Sequence, residues 1–256
     1  MILAAFNPKG GVGKTTTAVN VAAALARMGR SVLLIDLEAD LNASISLGVR
    51  PRHSSPSIAD LLLHQARAED AIRTIGSVPN LHLITGSFAL TGIDAALRNV
   101  RQPERRLGDV VRPLARQFEF VILDSPAGYS LVPSSVPLFA QHLVVPIRAE
   151  YLSLESVAQF LRWYRDFRLA RRTAARLAGI LLTRVDHRRQ ATREIVDIIR
   201  LHSRQGVFRT EIPEDPRVAE APSHGVPVVQ YTRSRAAIAY ERLAAEVLKR
   251  TARRPA

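Results

Sequence analysis

A glycine-rich segment with two lysines lies close to the N-terminus, between an apolar run and an alanine-rich stretch. The apolar run, residues 2–6, predicts a buried strand, and residues 18–26 predict a helix that ends near Gly29. Strand, glycine loop and helix in this order form a phosphate cradle, because glycines let backbone N–H groups point at an anion and the helix N-terminus adds partial positive charge. We expect Lys14 to reach the β- and γ-phosphates of a nucleotide and the Thr15 hydroxyl to bind Mg²⁺.

The loop departs from the general pattern G-x-x-x-x-G-K-[ST] at its first glycine, which is Pro8 in this chain. It fits a variant in which a second lysine precedes the glycine pair, so that residues 9–15 read Lys-Gly-Gly-Val-Gly-Lys-Thr. Lysine is otherwise found only at position 249, and 33 of the 36 basic residues are arginine. A compact ammonium fits between phosphate oxygens where a planar guanidinium does not, so the two loop lysines favour a phosphate site.

Two further apolar runs end in carboxylates. Residues 32–36 end at Asp36, which Glu38 follows closely, and residues 118–124 end at Asp124. Because parallel sheets bind ligands outside the carboxyl ends of their strands, we expect these side chains to face the glycine loop. Asp36 and Asp124 are predicted to serve Mg²⁺ through water, and Glu38 is predicted to orient the attacking water. A strand that ends in aspartate is common and is weak evidence alone, so Asp124 supports a magnesium site only in combination with the glycine loop.

The alternation of apolar runs and helical segments predicts the α/β class, with a doubly wound, mostly parallel sheet flanked by helices. Further strands are expected at residues 81–85, 142–147, 177–183 and 207–213, and a closing helix at 235–249. We expect one domain over residues 1–250 and a frayed basic tail over 251–256.

Composition excludes several classes of site. With no cysteine, the chain has no disulfide, no thiolate metal site and no iron–sulfur ligation, which excludes a nitrogenase-like reductase. No stretch of about 20 apolar residues is present, and a strand begins almost at the N-terminus, so we expect neither a membrane span nor a signal peptide. These features together favour a cytoplasmic protein.

The net charge of +13 is unevenly distributed: residues 1–150 carry 15 basic and 12 acidic side chains, and residues 151–256 carry 21 and 11. A basic half beside a nucleotide site favours a polyanionic partner, nucleic acid above all. The alternative is an arginine-rich composition that only keeps the protein soluble, and we consider it less favoured. Arginine contacts to phosphate would give weak sequence preference and steep salt dependence. A cluster follows the strand at 177–183 and supplies candidate contacts: Arg184, Arg188, Arg189 and Arg193.

Five segments together resemble the ParA/Soj partitioning ATPases, within the deviant Walker A group of P-loop NTPases that includes MinD. They are residues 9–16, 32–44, 124–128, 145–155 and 220–225, the last of which reads Glu-Ala-Pro-Ser-His-Gly. The resemblance implies a homodimer that forms on ATP binding, coats the nucleoid through non-specific double-stranded DNA, and hydrolyses ATP when a ParB-like partner stimulates it. The implied cofactors are ATP or ADP and Mg²⁺.

The resemblance also implies residue roles. Lys9 would reach the partner subunit's ATP, Gly10 would allow close approach there, and Thr16 would touch the α-phosphate. The implied nucleotide contacts are Lys9, Gly10, Gly11, Val12, Gly13, Lys14, Thr15 and Thr16, with Thr183, Arg184, Pro213, Glu214 and Asp215 near the adenine. Arg217 would join Arg184, Arg189 and their neighbours in gripping DNA.

Two departures from the family pattern affect the chemistry. The family usually reads Asp-x-Asp where this chain has Asp36, Leu37 and Glu38. The carboxylate expected to polarise water is therefore one methylene longer, and a misplacement of about 1 Å can cost on the order of a hundredfold in rate. We therefore expect slow basal hydrolysis. Pro8 removes one backbone N–H at the start of the loop, so phosphate binding must rely on residues 9–16.

Other interpretations remain open. The same ATPase could position a protein cargo such as a chemoreceptor cluster or a carboxysome. A MinD-like membrane cycle needs a C-terminal helix with bulky apolar anchors, and residues 251–256 offer none. A ligase such as a cobyrinic-acid amidating enzyme shares the cradle but needs a substrate pocket and an amide-transfer domain, and neither is evident in the sequence.

Overall fold

The structure, a computed structural model, describes residues 1–150, 153–171, 175–203 and 206–252. Seven strands form one sheet, and helices cover both of its faces. The strands are β1 (Ile2–Ala5), β2 (Val32–Asp36), β3 (Arg73–Thr74), β4 (Leu81–Ile84), β5 (Phe120–Asp124), β6 (His142–Arg148) and β7 (Arg176–Thr183). The α-helices are α1 (Lys14–Arg27), α2 (Asn42–Ser46), α3 (Ile58–Leu62), α4 (Ala68–Ala71), α5 (Ile93–Ala96), α6 (Arg106–Leu114), α7 (Leu131–Phe139), α8 (Ser153–Arg171), α9 (Gln190–His202), α10 (Arg217–Glu220), α11 (Val228–Tyr231) and α12 (Arg235–Thr251). Short 3₁₀ helices lie at Pro51–His53, Phe88–Gly92, Pro103–Arg105 and Ala221–His224.

The sheet has the strand order β3-β4-β2-β5-β1-β6-β7, and every pair of neighbours is parallel except β3 with β4. The chain starts in the middle of the sheet, builds outward to one edge, and then returns to build the other. The carboxyl ends of β1, β2 and β5 therefore meet at one edge of the sheet, where doubly wound sheets bind their ligands. The predicted α/β, doubly wound, mostly parallel architecture is confirmed.

Two apolar cores lie on opposite faces of the sheet, because neighbouring residues of a strand point to opposite sides. In β2, Leu33 and Ile35 enter the core that is covered by α3 and α5–α9, whereas Val32 and Leu34 enter the core that is covered by α1, α11 and α12. The strand is buried along its whole length, as its continuous apolar sequence predicts. No described helix is long and apolar enough to cross a bilayer.

The prediction of a strand at residues 207–213 is wrong. The segment follows the edge of β7 without forming a strand. Val207 makes an isolated bridge with Ile180, the Ile212 N–H donates to the Leu182 carbonyl over 2.9 Å, and Pro213 makes an isolated bridge with Val185 just beyond the end of β7. At Arg209 and Thr210 the backbone leaves the sheet, because the N–H groups of both residues donate to the Glu246 carboxylate of α12, over 2.9 and 3.0 Å. A side chain of the closing helix thus replaces the neighbouring strand as hydrogen-bond partner.

The closing helix is longer than predicted. It continues to Thr251, whose hydroxyl donates to the Val247 carbonyl and which is buried. Thr251 therefore belongs to the helix rather than to the predicted tail. The remaining tail residues 253–256 lie outside the described residues.

Candidate active site

The glycine loop turns sharply into α1. Gly11 and Gly13 have φ angles of 70° and 94°, in the left-handed region that favours glycine, and α1 begins directly afterwards at Lys14. Gly13 occupies the N-cap position and has no side chain to bind the first N–H groups of the helix. These groups are therefore available to an anion, as in other phosphate sites at helix N-termini.

The two loop lysines have different environments. The Lys14 ammonium is buried and donates to the Lys9 carbonyl oxygen over 3.1 Å, so it lies across the inside of the loop. Burial lowers the pKa of Lys14, and the negative charges of Glu38 and Asp124 oppose this shift. Lys9 is exposed instead. One ammonium thus lies inside the site, and the other is free to reach outward.

Asn7 holds the start of the loop in place. Its side-chain oxygen accepts from the Lys9 N–H over 2.9 Å, and its side-chain amide donates to the Pro146 carbonyl of β6 over 2.9 Å. Pro8, which departs from the usual pattern, uses its carbonyl to accept from the Gly128 N–H over 2.9 Å. The loop after β5 is therefore attached to the phosphate loop at the residue where the pattern is broken.

Asp36 is fully buried and is held by Ser44 of α2. The Ser44 N–H and hydroxyl donate to one carboxylate oxygen over 2.9 and 2.7 Å, and the Glu38 N–H donates to the other over 3.1 Å. Burial raises the pKa of Asp36, and the hydrogen bonds from Ser44 and Glu38 oppose the shift. The side chain is thus fixed in one orientation beside the loop.

Asp124 is also fully buried, but within the described residues neither of its oxygens has a hydrogen bond of normal geometry. Burial raises its pKa well above the usual range, and the negative charge of Asp36 raises it further; the nearby Thr15 hydroxyl opposes the shift. A buried carboxylate without a partner is costly unless a cation or donor accompanies it. Two aspartates and a threonine hydroxyl are oxygen ligands suited to Mg²⁺, directly or through water, so these residues fit that ion.

Glu38 lies half-buried beside the same group of charges. Burial raises its pKa, the Lys14 ammonium lowers it, and Asp36 and Asp40 raise it. The structure therefore brings Lys14, Thr15, Asp36, Glu38 and Asp124 into one electrostatically coupled site at the carboxyl ends of the central strands. This is where the sequence predicted them.

The residues predicted near the adenine form part of the scaffold in this structure. The buried Thr183 hydroxyl donates to the Val12 carbonyl of the loop over 2.9 Å. Pro213 forms a bridge with Val185 at the edge of the sheet. The Asp215 carboxylate accepts from the N–H groups of Arg217 and Ala236 over 3.0 and 3.1 Å.

The arginines predicted to bind DNA are exposed, and most are paired with carboxylates. Arg184 pairs with Glu214 over 3.3 Å, Arg188 with Asp186 over 2.8 Å, and Arg217 with Glu220 over 2.5 Å. Arg189 lies 3.5 Å from Asp186 and 3.8 Å from Glu214, and Arg193 donates to the His187 carbonyl over 2.6 Å. The Arg188 hydrogen bond lowers the pKa of Asp186 to about 2.

Sequence reasoning missed two residues that shape the site. Ser44 orients Asp36, although a serine eight residues after a strand gives no local signal of this role. Gly86, two residues after β4, packs so closely that an added Cβ would lie 2.4 Å from the Glu38 carbonyl oxygen and 3.1 Å from the Asp36 carboxyl carbon. Only a side chain as small as hydrogen fits there.

Comparisons with known proteins agree with this geometry. A family model described as AAA domain matches residues 1–177. The sporulation initiation inhibitor protein Soj of Bacillus subtilis is 34% identical over 247 residues, which are 96% of this chain and 97% of that protein. The chromosome-partitioning ATPase Soj of Thermus thermophilus is 36% identical over 249 residues, 97% of this chain and 95% of that protein.

Solved structures resemble the whole chain. The cobyrinic acid a,c-diamide synthase of Mycobacterium smegmatis with bound ADP and magnesium has a TM-score of 0.82 and 29% identity, and the match covers 97% of this chain and 94% of that one. The cell division ATPase MinD of Pyrococcus furiosus has a TM-score of 0.78 and 27% identity, covering 97% and 98%. With the loop, the carboxylates and full-length relatives in agreement, this chain belongs to the ParA/Soj-type ATPases of the ParA/MinD superfamily.

Proposed function

We propose that this ATPase is a nucleotide-gated clamp that dimerises around ATP, binds double-stranded DNA without sequence specificity, and partitions DNA in the cytoplasm on the nucleoid. The observation that carries the proposal is the difference in burial between the two loop lysines. Lys14 is buried inside its own loop, whereas Lys9 is exposed at the loop's outer edge. An exposed ammonium at a phosphate loop supports the proposal, because it would reach a nucleotide bound by a second copy.

The nucleotide and Mg²⁺ would occupy the coupled site. The loop N–H groups and Lys14 would neutralise the phosphates, and Thr16 would touch the α-phosphate. Thr15, Asp36 and Asp124 would hold the ion, which would help to neutralise the negative charge of the phosphates. Because Asp124 has no other partner in the described structure, its buried charge is the group that gains most from a cation.

Hydrolysis requires a positioned water. Glu38 is half-buried, and Lys14 acts on its charge, so its carboxylate is close to the place where the γ-phosphate would sit. We assign Glu38 to orient the attacking water. Because this side chain is one methylene longer than the aspartate usual in the family, basal turnover should be slow and should rise when a ParB-like partner binds.

The adenine base and the DNA would bind to the loops that follow β7. We assign adenine contacts to Thr183, Arg184, Pro213, Glu214 and Asp215, since Thr183 already joins this edge to the phosphate loop. DNA contacts are assigned to Arg184, Arg188, Arg189, Arg193 and Arg217. The ion pairs of Arg184, Arg188, Arg189 and Arg217 are exposed and therefore weak, so phosphates can displace the carboxylates.

The experiment that tests this function measures DNA retention in two nucleotide states. The anisotropy of a labelled duplex of arbitrary sequence is titrated with protein in ADP or in a non-hydrolysable ATP analogue, with magnesium. The clamp predicts retention with the analogue and little with ADP. Equal retention in both would contradict nucleotide gating, and ATP turnover stimulated by a small carboxylic acid instead of DNA would favour a ligase.

A further inference from the structure

Leu41 has a backbone conformation that leucine rarely adopts. Its φ and ψ angles are 54° and 32°, in the left-handed region, where the Cβ of an L-residue lies too close to the following carbonyl oxygen. Leucine has neither the freedom of glycine nor the short polar side chain that lets asparagine tolerate this region. The conformation is therefore strained, and the structure around Leu41 must hold it.

This residue belongs to the loop that carries Glu38. The Leu41 N–H donates to the Glu38 carbonyl over 3.3 Å, so residues 38–41 form a turn. The Leu41 carbonyl accepts from the Ile45 N–H over 2.8 Å, and α2 begins at the next residue, Asn42. The left-handed residue thus joins the turn that starts at Glu38 to helix α2.

Both ends of this loop are attached to one carboxylate. The Glu38 N–H donates to one oxygen of Asp36, and the N–H and hydroxyl of Ser44 donate to the other. The Glu38 carbonyl also packs against Gly86, where an added Cβ would lie 2.4 Å from its oxygen. Within residues 36–44, all of which the structure describes, only Leu41 has a positive φ angle. The path of the chain between the two attachment points therefore depends on the conformation of this residue.

Burial holds Leu41 in place. The residue is only 6% exposed, although its neighbours Asp40 and Asn42 are both exposed. Removing the leucine side chain from water offsets the cost of its strained backbone. The buried side chain and the left-handed backbone are two separate properties of one residue, and substitutions can remove them one at a time.

We propose that Leu41 is a positioning residue for ATP hydrolysis, whose left-handed backbone sets the path of the loop and so fixes where the Glu38 carboxylate lies. The inference rests on the proposed role of Glu38 in orienting the attacking water. Leu41 acts only through Glu38. The placement matters because a displacement of about 1 Å can lower a rate on the order of a hundredfold.

Two substitutions separate the backbone conformation from the burial. Leu41→Ile keeps an apolar side chain of the same volume, but its branched Cβ makes the left-handed region still less favourable. Leu41→Gly adopts the left-handed region freely and loses the buried side chain. For the full-length protein, phosphate release at saturating magnesium and varied ATP gives kcat and KM, and thermal unfolding gives the melting temperature.

The proposal predicts that activity follows the backbone conformation and not the packing. Leu41→Ile should lower kcat by about 10- to 100-fold and leave the KM for ATP unchanged, because the binding loop is intact and only the placement of Glu38 is lost. Leu41→Gly should keep most of the wild-type kcat even though its melting temperature falls, since deleting a buried leucine leaves a cavity. A role in packing alone predicts the reverse, with Leu41→Gly as the less active variant.

Two matched controls place isoleucine elsewhere. Leu47 is buried at the other end of α2 and has an ordinary φ of −106°, so Leu47→Ile should leave kcat unchanged. Asn80 has a φ of 66° and precedes β4, at the end of the sheet opposite the site, so Asn80→Ile should lower the melting temperature without changing kcat. Binding of a fluorescent ATP analogue to every variant shows that the phosphate loop is folded.

The outcomes separate the inference from the function on which it rests. If Glu38→Ala keeps the wild-type kcat, the assigned role of Glu38 fails. If Glu38→Ala loses activity but Leu41→Ile keeps the wild-type kcat, Leu41 does not position Glu38 and the inference is overturned. It is also overturned if Leu41→Gly loses as much activity as Leu41→Ile, or if Leu47→Ile does, because packing of α2 would then explain the effect.

Discussion

Asp36 and Asp124 are register partners on the neighbouring strands β2 and β5, and both carboxylates are shielded from solvent. Ser44 donates two hydrogen bonds to Asp36, whereas Asp124 has no such partner within the described structure. Placing two carboxylates side by side raises the pKa of Asp124, beyond the effect of burial. The pair is therefore an arrangement that a divalent cation would stabilise and that destabilises the protein without one.

Replacing Asp124 by asparagine should stabilise the protein in the absence of nucleotide and magnesium. The substitution removes a buried charge without a partner, so we expect a gain of about 1–3 kcal/mol in the free energy of unfolding at pH 8. For a chain of this size, each kcal/mol raises the melting temperature by about 2–4 °C. Thermal unfolding measures this gain, and ATP turnover should be lost. A lower melting temperature at pH 8 would contradict the assignment.

The same pair makes the stability of the folded protein depend on pH, and the pKa of Asp124 determines the sign of that dependence. Because the pKa of Asp124 is higher in the folded state than in the unfolded state, the folded protein binds the proton more tightly. Its contribution to stability is therefore present below the unfolded pKa of about 3.9 and is lost as pH rises through the folded pKa. Asp124→Asn should remove this component. The difference in melting temperature between the variant and the wild type should therefore grow as pH rises from about 5 to about 8, which lies above the unfolded pKa.

Replacing Ser44 by alanine should loosen Asp36. The hydroxyl donates to Asp36 over 2.7 Å and accepts from the Gly86 N–H over 3.3 Å, and both bonds are buried. We expect a loss of about 1–3 kcal/mol in the free energy of unfolding, measured by urea denaturation. Ser46 of the same helix is the matched control, because its hydroxyl donates to the Asn42 carbonyl near the surface. Ser46→Ala should change stability by less than about 0.5 kcal/mol, and equal losses in both variants would argue against a role for Ser44 in holding Asp36.

Changing Glu38 to aspartate should speed ATP hydrolysis. The shorter side chain restores the usual length at this position, and correct placement of a catalytic group can be worth up to about a hundredfold in rate. Steady-state phosphate release measures kcat, and binding of a fluorescent ATP analogue should stay constant. Glu69→Asp is a suitable control, because it makes the same change at an exposed glutamate of α4 and should have little effect. An unchanged or lower kcat in Glu38→Asp would refute the role assigned to this side chain.

Gly48, which follows α2, packs closely against Gly225 in the segment that carries Arg217. An added Cβ on Gly225 would lie 2.7 Å from the Gly48 Cα, and the φ of Gly225 is 65°. Gly225→Ala should therefore destabilise the protein by more than the roughly 1–2 kcal/mol that left-handed strain alone costs. Gly29→Ala is the control, since Gly29 has a φ of 81° and nothing within 4 Å of the added Cβ. Equal melting temperatures for the two variants would show that the contact does not matter.

Most of the site was predictable because its signals are local. The glycine loop, the two lysines and the strand-ending aspartates each lie within a few residues of an apolar run, and the parallel sheet then brings their strand ends together. The α/β architecture followed from the same alternation of segments. The relatives and the register of β2 with β5 agree with that prediction.

The rest depended on contacts between distant parts of the chain. The segment at 207–213 has a strand-like composition, but Glu246 of the closing helix takes the N–H groups that a strand would have shared. The hydroxyl of Thr183 reaches Val12 across 171 positions of sequence. Ser44 and Gly86 matter only because α2 and the end of β4 meet at Asp36. No periodicity or local motif encodes such meetings.

The most direct test of the clamp is the molar mass of the protein in saturating magnesium and a non-hydrolysable ATP analogue, measured by light scattering on a sizing column. The account predicts a dimer for the wild type and a monomer in ADP. It predicts that Lys9→Ala still binds the analogue but stays monomeric, whereas Lys14→Ala loses nucleotide binding itself. A wild type that stays monomeric with the analogue, or a Lys9→Ala variant that pairs as the wild type does, would contradict the central claim.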